Sequence, residues 1–199
     1  NNVLVATGCV SRDLPFLPFD GKKVVGSREA MNLPKQPKSI TIIGAGAIGI
    51  EFAYFFNAYG TEVTVVEMMD HILPIEDNDV SDLLKNSLTK QGIKVLTGTK
   101  TTTADTSGDG VMLTVEPAEG GESQDIESEM VLVAIGIAPV LPNNSEQIKL
   151  ERGFIDTDER YQTSVPNVYA AGDITGPPWL AHTGSYEAVQ AVEGMFVPG

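Results

Sequence analysis

Two hydrophobic rhythms divide the middle of the chain. Ile40-Thr-Ile-Ile43 is a short β-branched run suited to a buried parallel strand. Residues 48–59 are apolar on nearly every side and predict a buried helix closed by Gly60. Glu62-Val-Thr-Val-Val66 predicts a second strand. Over residues 79–91, Val80, Leu83, Leu84 and Leu88 recur at helical spacing, so an amphipathic helix is expected there, ended by Gly92. Residues 93–96 predict a third strand. The period then falls to two. Residues 98–106, 111–116 and 125–135 alternate, with Gly, Asp and Ser turns between them, which predicts a small antiparallel meander. Its last member carries Met130-Val-Leu-Val-Ala-Ile135, apolar enough to rejoin the parallel sheet.

The flanks read differently. Residues 2–8 predict a buried strand. Residues 9–38 are punctuated by Pro15, Pro18, Gly21, Gly26, Pro34 and Pro37 and read as a linker with a short helix at Ser27. Thr163 to Asp173 predicts a short strand running into a Gly-Asp turn. Residues 184–196 predict a helix with Ala188, Val189, Ala191, Val192, Met195 and Phe196 as its apolar face. The organisation expected is therefore a segment 1–37, a βαβαβ-plus-meander domain 38–137 and a return segment 138–199. The strands Val3-Leu-Val-Ala-Thr-Gly8 and Val131-Leu-Val-Ala-Ile-Gly136 differ at one position, which suggests two related nucleotide-binding domains.

Charge narrows the partners. A formal net charge of −14 over 199 residues, with no Lys/Arg cluster, argues against nucleic acid and anionic membranes. No apolar run approaches a membrane span. The lone Cys9 and two distant histidines build neither a disulfide nor a zinc site, and Cys9 reads as a small buried hydrophobe. No Gly-x-Ser-x-Gly elbow is present, so nothing points to hydrolase chemistry. His71 and His182 read as ordinary surface or core histidines.

One motif carries chemistry. Gly44-Ala-Gly46-Ala47-Ile48-Gly49 follows a predicted strand and opens a predicted helix. Gly44 suits the tight turn, Gly46 a close approach to pyrophosphate, and Gly49 close packing of helix on strand. The helix N-terminus presents free N–H groups to phosphate. Glu67 follows the next strand, 18 residues past Gly49. Its carboxylate can accept ribose hydroxyls and repels a 2′-phosphate, and Met68 and Met69 supply no arginine, so NAD is expected over NADP. Glu51 lies two residues past Gly49, where compensation of the helix dipole competes with a ligand role.

On these residues the chain resembles the pyridine nucleotide–disulfide oxidoreductases, and among them the dihydrolipoamide dehydrogenases. The matching stretches are Val5-Ala-Thr-Gly8, residues 37–51, Val63-Thr-Val-Val-Glu67 with Ile72-Leu-Pro74, and Thr163 through Asp173 with Leu180-Ala-His182. The resemblance implies a Rossmann-like α/β FAD/NAD-binding fold, with a parallel sheet, helices and a three-stranded antiparallel meander, flanked by partial FAD-domain segments. It implies that Gly44, Gly46, Ala47, Ile48, Gly49 and Glu67 bind NAD, that Glu51 lies near the nicotinamide and that Gly136 borders the NAD cleft. Thr7, Gly8, Asp173 and the backbone at Ala181 would approach FAD.

The implied enzyme oxidises dihydrolipoamide and delivers electrons through a disulfide and FAD to NAD. Its implied partner is a lipoyl-bearing protein, its state a homodimer, and its place the cytoplasm, or the mitochondrial matrix in a eukaryote. Gly136-Ile-Ala-Pro-Val140 departs from the family's Gly-Arg-x-Pro-Asn. The redox cysteine pair, the first FAD glycine motif and the His–Glu base are not among these residues, so the chain reads as a central fragment without catalytic groups of its own. Two other readings stand beside it. One is the same fold in an NADH oxidase, coenzyme A disulfide reductase or mercuric reductase; the other is a non-catalytic nucleotide-binding module.

Overall fold

A computed structural model describes residues 1–197. In chain order the elements are β1 (Val3–Val5), β2 (Cys9–Ser11), β3 (Val24–Val25), α1 (Ser27–Ala30), β4 (Ser39–Ile43), α2 (Ala47–Ala58), β5 (Glu62–Val66) and α3 (Asn78–Lys90). Then follow β6 (Lys94–Leu96), β7 (Thr99–Asp105), β8 (Val111–Pro117), β9 (Gln124–Ser128), β10 (Met130–Val133), β11 (Ile137–Pro139), β12 (Leu150–Glu151), β13 (Phe154–Ile155), β14 (Val168–Ala170) and α4 (Ala181–Phe196). The described residues form two compact units, one of residues 11–136 and one of residues 1–10 with 137–197.

The 11–136 unit has three layers. Its middle layer is a five-stranded parallel sheet in the order β3-β10-β4-β5-β6. Strand alternation sends Ile40, Ile42, Val63, Val65, Met130 and Leu132 to one face, where they pack with Ile50, Ala53 and Phe56 of α2 and Leu88 of α3. Ile43, Val66, Val131 and Val133 point the other way, against Val111, Leu113, Val115 and Ile126 of the antiparallel β7-β8-β9 layer. The β-branched, mostly apolar make-up of β4 and the wholly apolar β10 follow from this burial on both faces.

Three expectations need correction here. The stretch read as a linker contributes β3, whose Val24 and Val25 pair with Val131 and Leu132 at the sheet edge. The expected strand 125–135 is two strands broken at Glu129: β9 completes the meander and β10 enters the parallel sheet. On α3, Val80 and Leu83 are exposed, Leu83 at 74%, while Ser81 and Leu88 are buried and Leu84 packs against the core. The buried side of α3 thus runs through 81, 84 and 88, keeping Leu84 and Leu88 of the expected stripe and replacing Val80 and Leu83 with Ser81.

The other unit is smaller. β1 and β14 pair in parallel, Val3 with Val168 and Val5 with Ala170. β2 pairs with β11, and β12–β13 is a hairpin turned by Arg152 and Gly153, both at positive φ. Val5, Ile155, Ala170 and Ile174 form its core. Helix α4 starts earlier than expected, at Ala181. Its expected apolar face holds only in part: Ala191 is buried and Ala188 and Met195 are half-buried, but Val189, Val192 and Phe196 are exposed and Glu187 is buried in their place. The packed stripe is Gly184, Glu187, Ala191 and Gly194, at helical spacings of three and four. A Cβ on Gly194 would meet the Arg160 carbonyl oxygen at 2.7 Å, and one on Gly184 the Cα of Gly172 at 3.2 Å, so small residues let this face sit close.

Candidate functional site: a glycine turn and its carboxylate

The loop between β4 and α2 is built by three glycines with different physical roles. Gly44 has φ +103°, and a Cβ there would lie 2.4 Å from the Ala134 carbonyl oxygen. Both conformation and space demand glycine. At Gly49 the obstacle is the loop itself, since a Cβ would lie 2.0 Å from the Gly44 carbonyl oxygen. Gly46 differs from both. Its φ is −72°, and an added Cβ meets nothing within 4 Å. No protein atom occupies that space, as expected where a ligand's phosphates approach the backbone. Gly46 is the N-cap of α2 and supplies no side chain to the free N–H groups of Ala47 and Ile48.

Glu67 follows β5 and faces this loop. It is only 8% exposed. One carboxylate oxygen, Oε2, accepts the Ala45 N–H at 2.6 Å, and Oε1 accepts the Met69 N–H at 2.8 Å. Each oxygen keeps acceptor capacity for a further donor. The Ala45 carbonyl in turn accepts the Leu73 N–H at 2.8 Å. Leu73 holds φ 49°, and its neighbour Ile72 is fully buried in the helix-side core. Both polar groups of Ala45 are therefore held, and the Ile72-Leu73 segment acts as a second brace. His71 beside it bonds Asp70 at 2.5 Å, which holds the Asp70 carboxyl below the ordinary carboxylate range.

Of the other expected residues in this unit, Glu51 is exposed on α2 and lies beyond the first turn, which begins at Ala47 and contains no acid. Dipole compensation is thus a weaker account of it than the sequence suggested. Gly136, at φ +113°, follows β10, and its carbonyl accepts the Arg12 N–H at 3.1 Å.

In the smaller unit the Thr7-Gly8 and Gly172-Asp173 turns lie side by side at the ends of the paired β1 and β14. Cys9 Sγ donates to the Asp173 carbonyl at 3.2 Å, and the Gly8 carbonyl accepts the Val140 N–H at 2.9 Å. Cys9 is half-buried and hydrogen-bonding, rather than the fully buried apolar filler expected. Gly8 and Gly172 both have positive φ, and a Cβ on either meets nothing within 4 Å. Ala181 is exposed at the start of α4. Sequence reasoning missed Glu187, a buried carboxylate on α4 whose Oε2 accepts the Gly172 N–H at 2.7 Å. Its signal was its place in the stripe of small residues.

The model of one family, pyridine nucleotide-disulphide oxidoreductase, matches residues 1–191. The chain belongs to that family. Curated members resemble it closely: the dihydrolipoyl dehydrogenase of Chlorobaculum tepidum is 42% identical over 98% of this chain. The mitochondrial dihydrolipoyl dehydrogenase of Pisum sativum is 42% identical over 96% of it. The chain spans 42% and 39% of those two relatives. Among solved structures, LpdA from Mycobacterium tuberculosis superposes with a TM-score of 0.85 at 31% identity, over 100% of this chain and 43% of that one. The HOCl-induced flavoprotein disulfide reductase RclA from Escherichia coli gives 0.86 at 25% identity, over 100% and 45%. Oxidoreductases of this family use FAD and NAD(H). Among the described residues no helix is long and apolar enough to cross a membrane.

Proposed function

We propose that this chain is the NAD(H)-binding part, with bordering FAD-site segments, of a dihydrolipoamide dehydrogenase, which oxidises dihydrolipoamide to lipoamide while NAD⁺ becomes NADH and a proton is released. The observation that carries this reading is the pairing of the vacant approach at Gly46 with the buried Glu67 carboxylate. Gly44, Gly46 and Gly49 shape the loop, and the backbone of Gly46, Ala47 and Ile48 offers N–H donors to pyrophosphate. Glu67 accepts ribose hydroxyls with its remaining lone pairs, and its charge rejects a 2′-phosphate. Glu51 and Gly136 border the nicotinamide end.

The smaller unit fits a flavin in the same way. The turn at Gly172 is open, with nothing within 4 Å of an added Cβ. Asp173 would take hydroxyls of the ribityl chain, with Thr7, Gly8 and the backbone at Ala181 along the flavin. FAD and NAD(H) supply the redox chemistry when bound; the protein orients them and excludes water. The proposed partners are a lipoyl-bearing protein and a second copy of the enzyme, in the cytoplasm or mitochondrial matrix.

Titration with NADH and NADPH tests the reading. Tighter NADH binding is expected, and equal or tighter NADPH binding overturns the NAD assignment. The departures at Ile137 and Val140 favour a second reading, another NADH-dependent disulfide reductase on the same fold. Turnover of dihydrolipoamide by the product of the complete reading frame separates the two.

A further inference from the structure

We propose that Glu187 is the positioning residue of the flavin-binding turn, holding Gly172 so that the Asp173 carboxylate is presented to the ligand. This inference rests on the flavin reading of Asp173. Several contacts pin the turn. The Ala171 N–H donates to the Val5 carbonyl at 3.1 Å, tying it to β1. The Gly172 carbonyl accepts from Thr175 twice, from N–H at 2.9 Å and from Oγ1 at 2.8 Å. The Asp173 carbonyl accepts Cys9 Sγ at 3.2 Å. The Gly172 N–H donates to Glu187 Oε2, 2.7 Å away.

Glu187 supplies the one carboxylate in this set and is 7% exposed. A buried carboxylate is costly unless it is hydrogen-bonded, and nothing about packing alone asks for a charge on this face of α4. The rest of the stripe is Gly184, Ala191 and Gly194, and Gly184 brings the helix backbone onto Gly172 itself. The neighbouring Tyr161 hydroxyl is pushed up in pKa by its own burial and by the nearby Glu187 charge. A charge-assisted bond is short and directional, and it fixes a glycine at φ +82° that has no side chain to fix itself. Glu187 touches no ligand atom in this account. It acts through Gly172 on Asp173.

The test measures FAD affinity in the product of the complete reading frame, stripped of flavin and titrated, for Asp173→Ala, Glu187→Ala, Glu187→Gln and the Asp173→Ala/Glu187→Ala double variant. Glu187→Ala is expected to weaken FAD about tenfold, the scale known for groups that orient a direct ligand contact. Glu187→Gln retains a carbonyl acceptor and restores most of that loss. Adding Glu187→Ala to Asp173→Ala costs nothing further. With ¹⁵N-glycine labelling, the Gly172 amide proton moves upfield in Glu187→Gln, a readout that survives if the alanine variant does not fold. Wild-type FAD affinity in Glu187→Ala, full additivity with Asp173→Ala, or an unmoved Gly172 resonance overturns the proposal. An unchanged affinity in Asp173→Ala, or a complete protein that takes up no flavin, overturns the underlying reading of the turn instead.

Discussion

The Glu67 carboxylate and the Ala45 amide lie 2.6 Å apart, so the acid expected to read the ribose also holds the loop expected to bind the pyrophosphate. Glu67→Ala leaves the Ala45 and Met69 N–H groups without their acceptor. A loss of about 2–4 kcal/mol is expected for two charge-assisted bonds, together with weaker NADH binding. Urea unfolding with parallel NADH titration measures both. Loss of NADH affinity with no loss of stability would show that Glu67 only touches ligand.

The three glycines separate folding from binding. Gly49→Ala places a Cβ 2.0 Å from a backbone oxygen and is expected to destabilise by about 1–3 kcal/mol or more. Gly46→Ala meets no protein atom, so its stability cost stays within about 1 kcal/mol, the scale of an N-cap change. Its NADH affinity should still fall about tenfold or more, a change of about 1.4 kcal/mol. Equal NADH affinity in Gly46→Ala and wild type would mean that the open space does not receive the ligand.

Asp20 makes the sheet edge acid-sensitive. Its carboxylate accepts the N–H groups of Lys22, Lys23 and Val24, each at 2.8 Å, immediately before or within β3. Burial acts to raise its pKa, but the backbone donors and the Lys23 charge outweigh it, and the pKa is lowered. A depressed folded-state pKa means stability that is present above the unfolded value and lost as pH falls through the folded one. Asp20→Asn is therefore expected to lower Tm at pH 7 and to narrow the gap from wild type below pH of about 4, near the unfolded Asp value. Thermal melts across that range check it; a gap constant with pH would contradict it.

The corrected face of α3 is equally testable. Leu88 is 1% exposed, so Leu88→Ala should cost about 2–5 kcal/mol. Leu83→Ser should stay within about 0.5 kcal/mol, because a surface change away from caps and contacts does little. The denaturation midpoint of Leu83→Ser decides between the stripes, with Leu88→Ala as the core reference that both share.

The sequence made the middle of the chain legible because period and punctuation agreed there. Ile40–Ile43, the glycine turn, the helix closed by Gly60 and the Glu62–Val66 strand all sit where their patterns put them. The helix faces were less legible. On α3, Val80 and Leu83 resemble core residues in composition, yet Ser81 takes the buried position. On α4 the close approach of Gly184 and Gly194 to backbone turns the helix so that valines face outward and a glutamate faces in. Hydrophobicity reports what a residue can bury, whereas close backbone approach selects for small size, and on α4 size decided. The break at Glu129 was hidden for a related reason: its carboxylate accepts the Lys38 N–H at 2.7 Å and its N–H bonds Ser39, long-range contacts that no local period encodes.

The placement of β10 between β3 and β4 has a consequence for how the protein is made. Strands β4, β5 and β6 emerge in order and can pair as they appear, each with its neighbour already present. β10 emerges only after the whole β7–β9 layer, and it must then insert beside β4 while also capturing Val24 and Val25 from far upstream. Until that moment one edge of β4, a strand buried from Ile40 to Ile43 in the folded protein, stands unpaired. A ribosome paused in the meander therefore holds out an open sheet edge, and for that interval the nascent chain is most vulnerable to pairing with another molecule.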